Sequence, residues 1–147
     1  MKLIVTKIGR PTTKEVRTLV DMYSERLRPF LTLESVELKE TGKNRNSKVE
    51  ITRQPDECLI VLDEKGKQWS SLEWSNHLRE WMDDRRIKSV RFVIGGPYGL
   101  DPSTIKSAHH VCCLSKMTLP SDLAWLLTWE QLFRAMSILK GTPYHHA

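Results

Sequence analysis

Strand-like and helix-like segments alternate along this chain from its first residues to its last, and that alternation restricts the fold more than any other feature. Lys2 to Gly9 (KLIVTKIG) is a β-branched apolar run that stops at a glycine with Pro11 just beyond, the pattern of a strand entering a turn. Val16, Leu19, Val20, Tyr23, Leu27 and Phe30 then recur at helical spacing, opened by Thr12 or Thr13 as a cap and closed near Pro29. Leu31 to Leu38 alternates like a half-exposed strand, whereas Glu57 to Asp63 (ECLIVLD) has the continuous apolar centre of a buried one. A helix follows over Ser70 to Arg86, with Trp74, Leu78, Trp81 and Met82 on one face, and then a second buried strand, Ser89 to Ile94. A short helix from Pro102, a strand around Val111 to Leu114 and a last helix over Ser121 to Lys140 complete the series. The pattern predicts an α/β fold with a mainly parallel sheet and helices on both faces.

A chain of 147 residues with 39% apolar content fills one core, so residues 1–147 read as a single domain. The apolar run at the start is broken at Lys7, too early for a signal-peptide core, and no stretch has the length of a membrane span. Cys58, Cys112 and Cys113 form an odd set without C-x-x-C spacing, which argues against a disulfide framework and fits reduced thiols in a cytoplasmic protein. The formal charge of +5 suits an anionic partner. Its most concentrated expression is Thr41 to Lys48 (TGKNRNSK), where Lys43, Arg45 and Lys48 stand among Gly, Asn and Ser in a segment suited to phosphate contact.

The last helix is apolar almost all round, from Leu123, Trp125 and Leu127 through Trp129, Leu132 and Phe133 to Met136 and Leu139. Such a helix needs burial on more than one side, which predicts a homodimer through it. A central helix within a monomer is the alternative.

The motifs are less specific one by one. Gly95-Gly96-Pro97-Tyr98-Gly99 follows a strand, at the end of the sheet where open α/β folds place ligands, but lacks both the dinucleotide and the P-loop spacings. His109, His110, Cys112 and Cys113 are metal-ligand types, yet strand alternation sends neighbours to opposite faces, so no metal site is expected. Nothing resembles the nucleophile context of a hydrolase. By position alone, Pro143 to Ala147 reads as a frayed end.

Taken together and in order, IGGPYGL at Ile94 to Leu100, LSKMTLP at Leu114 to Pro120, EQLFRA at Glu130 to Ala135 and PYHH at Pro143 to His146 resemble the RlmH family of SPOUT methyltransferases. The likeness extends to the opening KLIVTKIG and to VLDEKGK at Val61 to Lys67. It implies a sheet whose C-terminal part is threaded into a trefoil knot, a rare exception to unknotted topology. It also implies a dimer that transfers the methyl group of S-adenosyl-L-methionine to N3 of a pseudouridine in 23S rRNA at the ribosomal subunit interface. Carried over by position, Leu62, Gly95, Gly96, Leu114, Ser115, Lys116, Met117, Thr118 and Leu119 would surround the methyl donor, offering backbone N–H and C=O groups beside apolar side chains to adenine. Tyr144 and His145 match the family's substrate-side pair, with Tyr144 positioning the base and His145 as candidate base for the N3 proton, since an imidazole titrates near neutrality. His146 would contact RNA.

Departures from the family pattern stand at Ser121 and Trp125, where it has His and Arg, and at His146, where it has Arg or Lys. The loss of Arg removes a permanent charge suited to phosphate. Two further readings therefore stand beside the first: a ribosome-binding or assembly protein that keeps the fold with weakened catalysis, and a SPOUT enzyme acting on another RNA.

Overall fold

The computed structural model describes residues 1–9, 12–40 and 49–146 of the chain. Its elements follow the expected alternation: β1 (Lys2–Ile8), α1 (Lys14–Leu27), β2 (Thr32–Leu38), β3 (Glu57–Gln68), α2 (Ser71–Asp83), β4 (Ser89–Ile94), α3 (Pro102–Ser107), β5 (His110–Cys113) and α4 (Ser121–Lys140). Local chemistry sets several of the boundaries. Ser70 opens α2 with a capping box, its hydroxyl accepting from the Glu73 N–H while the Glu73 carboxylate accepts from the Ser70 N–H. Gly141 closes α4 in the left-handed region at φ 70°, which lets Thr142 N–H turn back to the Ser137 carbonyl. Thr13 occupies the N-cap of α1, but its side chain makes no capping bond.

The five strands are parallel, in the order β2-β1-β4-β3-β5. Side chains alternate between two apolar layers. Leu3, Val5, Ile60, Leu62, Phe92 and Cys112 face the layer covered by α1, α2 and α4, while Ile8, Leu59, Val61 and Val93 face a thinner one closed by Leu100, Ile105, Ala108, Val49 and Ile51. Helices thus cover both faces unequally, three on one and the short α3 on the other.

α4 packs against both α1 and α2, and this accounts for much of its apolar circumference. Trp125, Trp129, Leu132, Ala135 and Met136 are buried inside the chain itself, whereas Leu123 and Leu127 remain exposed. The monomer therefore satisfies most, but not all, of the burial this helix demands.

β3 runs further than its apolar centre indicates. After Leu62 the pairing with β5 shifts, so that Lys67 as well as Leu62 comes opposite Cys112, and Gln68 rather than Asp63 comes opposite Cys113. The intervening turn lies against β5: a Cβ on Gly66 would stand 2.7 Å from the Val111 carbonyl carbon and oxygen. Among the described residues, no helix is long and apolar enough to cross a membrane.

Candidate active site

The carboxyl ends of β4 and β5 are level with the end of the apolar centre of β3. Leu62 of β3 stands opposite Ile94 of β4 and Cys112 of β5, so the segments that leave these strands emerge together. Leu62 is buried, the Gly95-Gly96 turn follows its neighbour on β4 and the Leu114 to Leu119 loop follows its neighbour strand β5, so the sequence-predicted cofactor residues leave the sheet at the same end.

The glycine turn is tight for reasons internal to the protein. Gly99 N–H bonds the Gly96 carbonyl at 3.0 Å, and Gly99 adopts φ 77°, a left-handed conformation that suits glycine. A Cβ on Gly95 would meet Leu100 Cγ at 2.9 Å, so Gly95 is required by the turn. A Cβ on Gly96 would run into the Glu40 carboxylate and approach the Ile8 carbonyl at 3.2 Å. These glycines therefore carry packing as well as any ligand role.

The loop after β5 is fixed at a few points. Cys113 Sγ donates to the Ser115 carbonyl, Met117 N–H donates to Ser115 Oγ at 3.0 Å, and Thr118 Oγ1 donates to Glu64 Oε2 at 3.1 Å. Lys116, Met117 and Thr118 are exposed, Met117 at 70%. Among the described residues, Lys116 to Leu119 make no backbone-to-backbone bond. Loop amides and carbonyls outside the backbone ladders, beside Leu62, Leu114 and Leu119, are the kind of donor and acceptor set that an adenine edge and an apolar ring require, so these residues fit S-adenosyl-L-methionine. A cleft of about 630 Å³, lined by Met1, Arg28, Phe30 and Met82 among others, lies at the amino ends of the strands, where open α/β sheets do not bind ligands.

The tail is docked, contrary to its positional reading as a frayed end. Tyr144 folds back on α4: its ring packs edge-on against Phe133 at 4.6 Å, and its hydroxyl donates to Glu130 Oε1 at 3.0 Å and lies 3.4 Å from the Tyr23 hydroxyl of α1. Arg134 joins the group, bonding Glu130 Oε1 through Nε and Nη2 and lying 4.7 Å over the Tyr144 ring. Burial, the Tyr23 bond and the Glu130 carboxylate all push the Tyr144 phenol up from its usual range, so it remains a donor. Arg134 Nη1 lies 3.1 Å from His145 Nδ1. A guanidinium can only donate, so Nδ1 is the accepting side of this contact. Arg134 is thirteen positions along α4 from Ser121, roughly 20 Å at helical rise, and the tail is thus anchored away from its own chain's cofactor loops. Sequence reading missed this anchor, although Glu130 and Arg134 stand at i, i+4 in EQLFRA.

The positions that depart from the family pattern are now placed. Trp125 is 1% exposed, with Lys7 and Arg17 each 5.7 Å from its ring, which makes it core and unable to stack on a base. Ser121 is half-buried, its Oγ 4.0 Å from where a Cβ on Gly9 would stand, and His146 is exposed. Lys43, Arg45 and Lys48 lie outside the described residues.

His109 and His110 do point to opposite faces. His109 Nδ1 accepts from the Leu59 N–H, while His110 packs among Trp69, His77 and Trp81. Among the described residues, no three ligand-type side chains gather to hold a metal. Burial pushes the Cys58 thiol to about 11 and Cys112 to about 12, leaving both as inert thiols.

Residues 1–145 match a family described as "Predicted SPOUT methyltransferase". A protein of Anaeromyxobacter sp. (strain Fw109-5) named ribosomal RNA large subunit methyltransferase H is 36% identical over 99% of both chains. A protein of the same name from Maridesulfovibrio salexigens is 51% identical over 92 residues, which span 63% of this chain and 58% of that one. A solved structure, a probable methylase family protein from Haemophilus influenzae Rd KW20, superposes with a TM-score of 0.58 at 9% identity, covering 99% of this chain and 70% of the other, a likeness of fold.

Proposed function

This chain belongs to the SPOUT methyltransferase family, in the group named ribosomal RNA large subunit methyltransferase H, and from that premise we propose that it methylates N3 of a pseudouridine in 23S rRNA at the ribosomal subunit interface. The observation that carries the reading is a match over residues 1–145 and over 99% of a relative, which includes every segment that builds the site. Bound at Leu62, Gly95, Gly96 and Leu114 to Leu119, S-adenosyl-L-methionine would supply an electrophilic methyl group on its sulfonium. The protein's task is then to hold donor and acceptor in line and to help N3 lose its proton. A trefoil knot through the β5–α4 segment belongs to this reading, and the turn of β3 packed on β5 at Gly66 supports it.

The working unit is a cytoplasmic homodimer, supported by the exposed Leu19, Leu123 and Leu127 on the neighbouring helices α1 and α4. Tyr144 and His145 serve the partner's cofactor loops, since their own chain anchors them roughly 20 Å along α4 from Ser121. Tyr144 orients the base as a neutral hydroxyl and ring. His145 accepts the N3 proton once Nδ1 leaves Arg134. Lys43, Arg45, Lys48 and His146 contact RNA phosphates.

Transfer of tritium from labelled S-adenosyl-L-methionine to ribosomes, with the base mapped, tests the reading. Mixing a tail-deleted subunit with one whose cofactor loops are disabled tests the shared site: recovered activity is expected, and its absence would place tail and loops in one subunit. A second reading, a ribosome-binding protein with weakened catalysis, draws on the uncharged, buried Trp125. Calorimetry separates them, because intact cofactor binding together with methyl transfer excludes it.

A further inference from the structure

Lys7 is charged in a row that is otherwise apolar. Leu3 and Val5 lie fully buried on the helix-covered face of β1, and Lys7 continues that row at 2% exposed. Its Nζ lies 3.1 Å from Asp122 Oδ1, on the first turn of α4, with the Trp125 ring alongside. Asp122 retains 27% exposure and so borders the surface. Replacing a buried ion pair by apolar side chains of like size is often neutral or stabilising, because desolvation offsets the attraction. Stability alone therefore does not account for an ammonium here.

Its place in the fold does. Lys7 is in register with Ile94, the residue before the Gly95-Gly96 turn. Two positions on, a Cβ built on Gly9 would stand 3.4 Å from Gly96 Cα and 4.0 Å from Ser121 Oγ, so the end of β1 packs close to both. The end of β1, the glycine turn and the start of α4 thus converge near the Lys7–Asp122 ion pair. α4, moreover, has Pro120 as its N-cap with no side-chain capping bond, so beyond the Ala124 N–H to Pro120 carbonyl bond its first turn has no cap of its own. Just before it, Lys116, Met117 and Thr118 stand exposed in the loop assigned to the methyl donor. That loop is held by β5 at one end and by the start of α4 at the other.

We infer that Lys7 and Asp122 are positioning residues: their ion pair ties the start of α4 to β1 and so sets the Leu114 to Pro120 loop at the correct distance from the glycine turn. The inference rests on the methyltransferase reading for the identity of the ligand, and on geometry alone for the tether. Lys7 touches no substrate and acts through Asp122.

The test uses Lys7→Met, Lys7→Arg, Asp122→Asn and the double variant Lys7→Met/Asp122→Leu in the full-length protein. S-adenosylhomocysteine binding is read by calorimetry, amide exchange over 114–124 on the ligand-free protein, and kcat and KM on ribosomes. Lys7→Met is expected to weaken binding about tenfold, the scale of a coupling acting through one packed contact, and to speed exchange in 114–124 while the strands keep their protection. Lys7→Arg restores most of the affinity, and the double variant recovers melting temperature without recovering affinity. KM for ribosomes stays near that of the unaltered protein, since the RNA-binding residues are unchanged. Should Lys7→Met fail to fold, Asp122→Asn, isosteric and at the surface, carries the same expectations. Equal binding and equal exchange in Lys7→Met, or recovery of both stability and affinity in the double variant, would overturn the positioning role. Failure of the unaltered protein to bind S-adenosylhomocysteine would overturn the functional reading instead, and the exchange data would still decide the tether.

Discussion

Replacing Gly66 by alanine probes the point where the β3 turn presses on β5. The new Cβ would stand 2.7 Å from both the carbon and the oxygen of the Val111 carbonyl and 2.8 Å from the Cys112 carbonyl carbon. Tolerable contact begins near 3.4 Å, so one of the two segments must move by about 0.7 Å. Neither yields cheaply, because all three opposing atoms are backbone and β5 is bonded to β3 on both sides of the register shift. Overpacking of this kind costs about 1–3 kcal/mol. Against it stands a gain of about 0.4–1 kcal/mol from the stiffer unfolded chain. The net loss centres on about 1–2 kcal/mol, which at about 2–4 °C per kcal/mol for a chain near this length is a fall in Tm of roughly 2–8 °C. Differential scanning calorimetry at matched protein concentration measures it. S-adenosylhomocysteine binding should weaken as well, since β5 leads straight into the Leu114 to Leu119 loop. Gly99→Ala is the control: φ is 77° and nothing lies within 4 Å, so its cost is left-handed strain of about 1–2 kcal/mol with β5 undisturbed. A Gly66→Ala protein that melts at or above the temperature of the unaltered chain would refute the close-approach argument.

Deleting Tyr144 to Ala147 should leave S-adenosylhomocysteine affinity within about twofold but abolish methyl transfer, because the tail is bound at Glu130 and Arg134 rather than at the loops; full turnover would return the tail to a structural role. Leu127→Glu should dissociate the proposed dimer in sedimentation velocity. Each Leu contributes about 1.5–3 kcal/mol and counts twice across a two-fold axis, so Kd should rise about 10²- to 10⁴-fold, and an unchanged Kd would exclude this face. Stability should fall as pH drops below about 6.5. His110 is held below its usual range by burial and by the neighbouring His77 and His109, and His109 by burial and Arg53, so the unfolded chain binds the extra protons. That contribution is present above the unfolded value and is lost as pH falls through it toward the folded one. His110→Gln should flatten Tm between pH 5 and pH 7, and an unaltered slope would show that the cluster does not titrate there.

What was legible in the sequence, and what was not, divides along a physical line. The alternating elements could be read because each strand or helix declares its own period, and Trp74, Leu78 and Trp81 or Leu59 to Val61 face the core wherever the rest of the chain lies. Glu64 to Gln68 could not be read as strand. Its ladder to Cys112 and Cys113 is made by backbone, which leaves no trace in side chains that are mostly charged and exposed. Lys7 was misleading in the opposite sense, since it appears to interrupt an apolar run yet is as buried as its neighbours; its partner Asp122 is far away in sequence, and no local pattern announces an ion pair between a strand and a distant helix. The docked tail shows the same limit. Tyr144 and His145 have no apolar run to bury, and what holds them is a carboxylate and a guanidinium one helical turn apart on α4, together with Tyr23 of α1. Glu130 and Arg134 would ordinarily count as a solvated i, i+4 pair. Only when the chain turns back after Gly141 does that pair become a receptor for the tail, and the turn depends on a left-handed residue whose glycine alone cannot say where the next residues will go. The residues on which the proposed chemistry depends are thus the ones whose positions are set by contacts between distant segments, which a local reading reaches only through resemblance to whole chains.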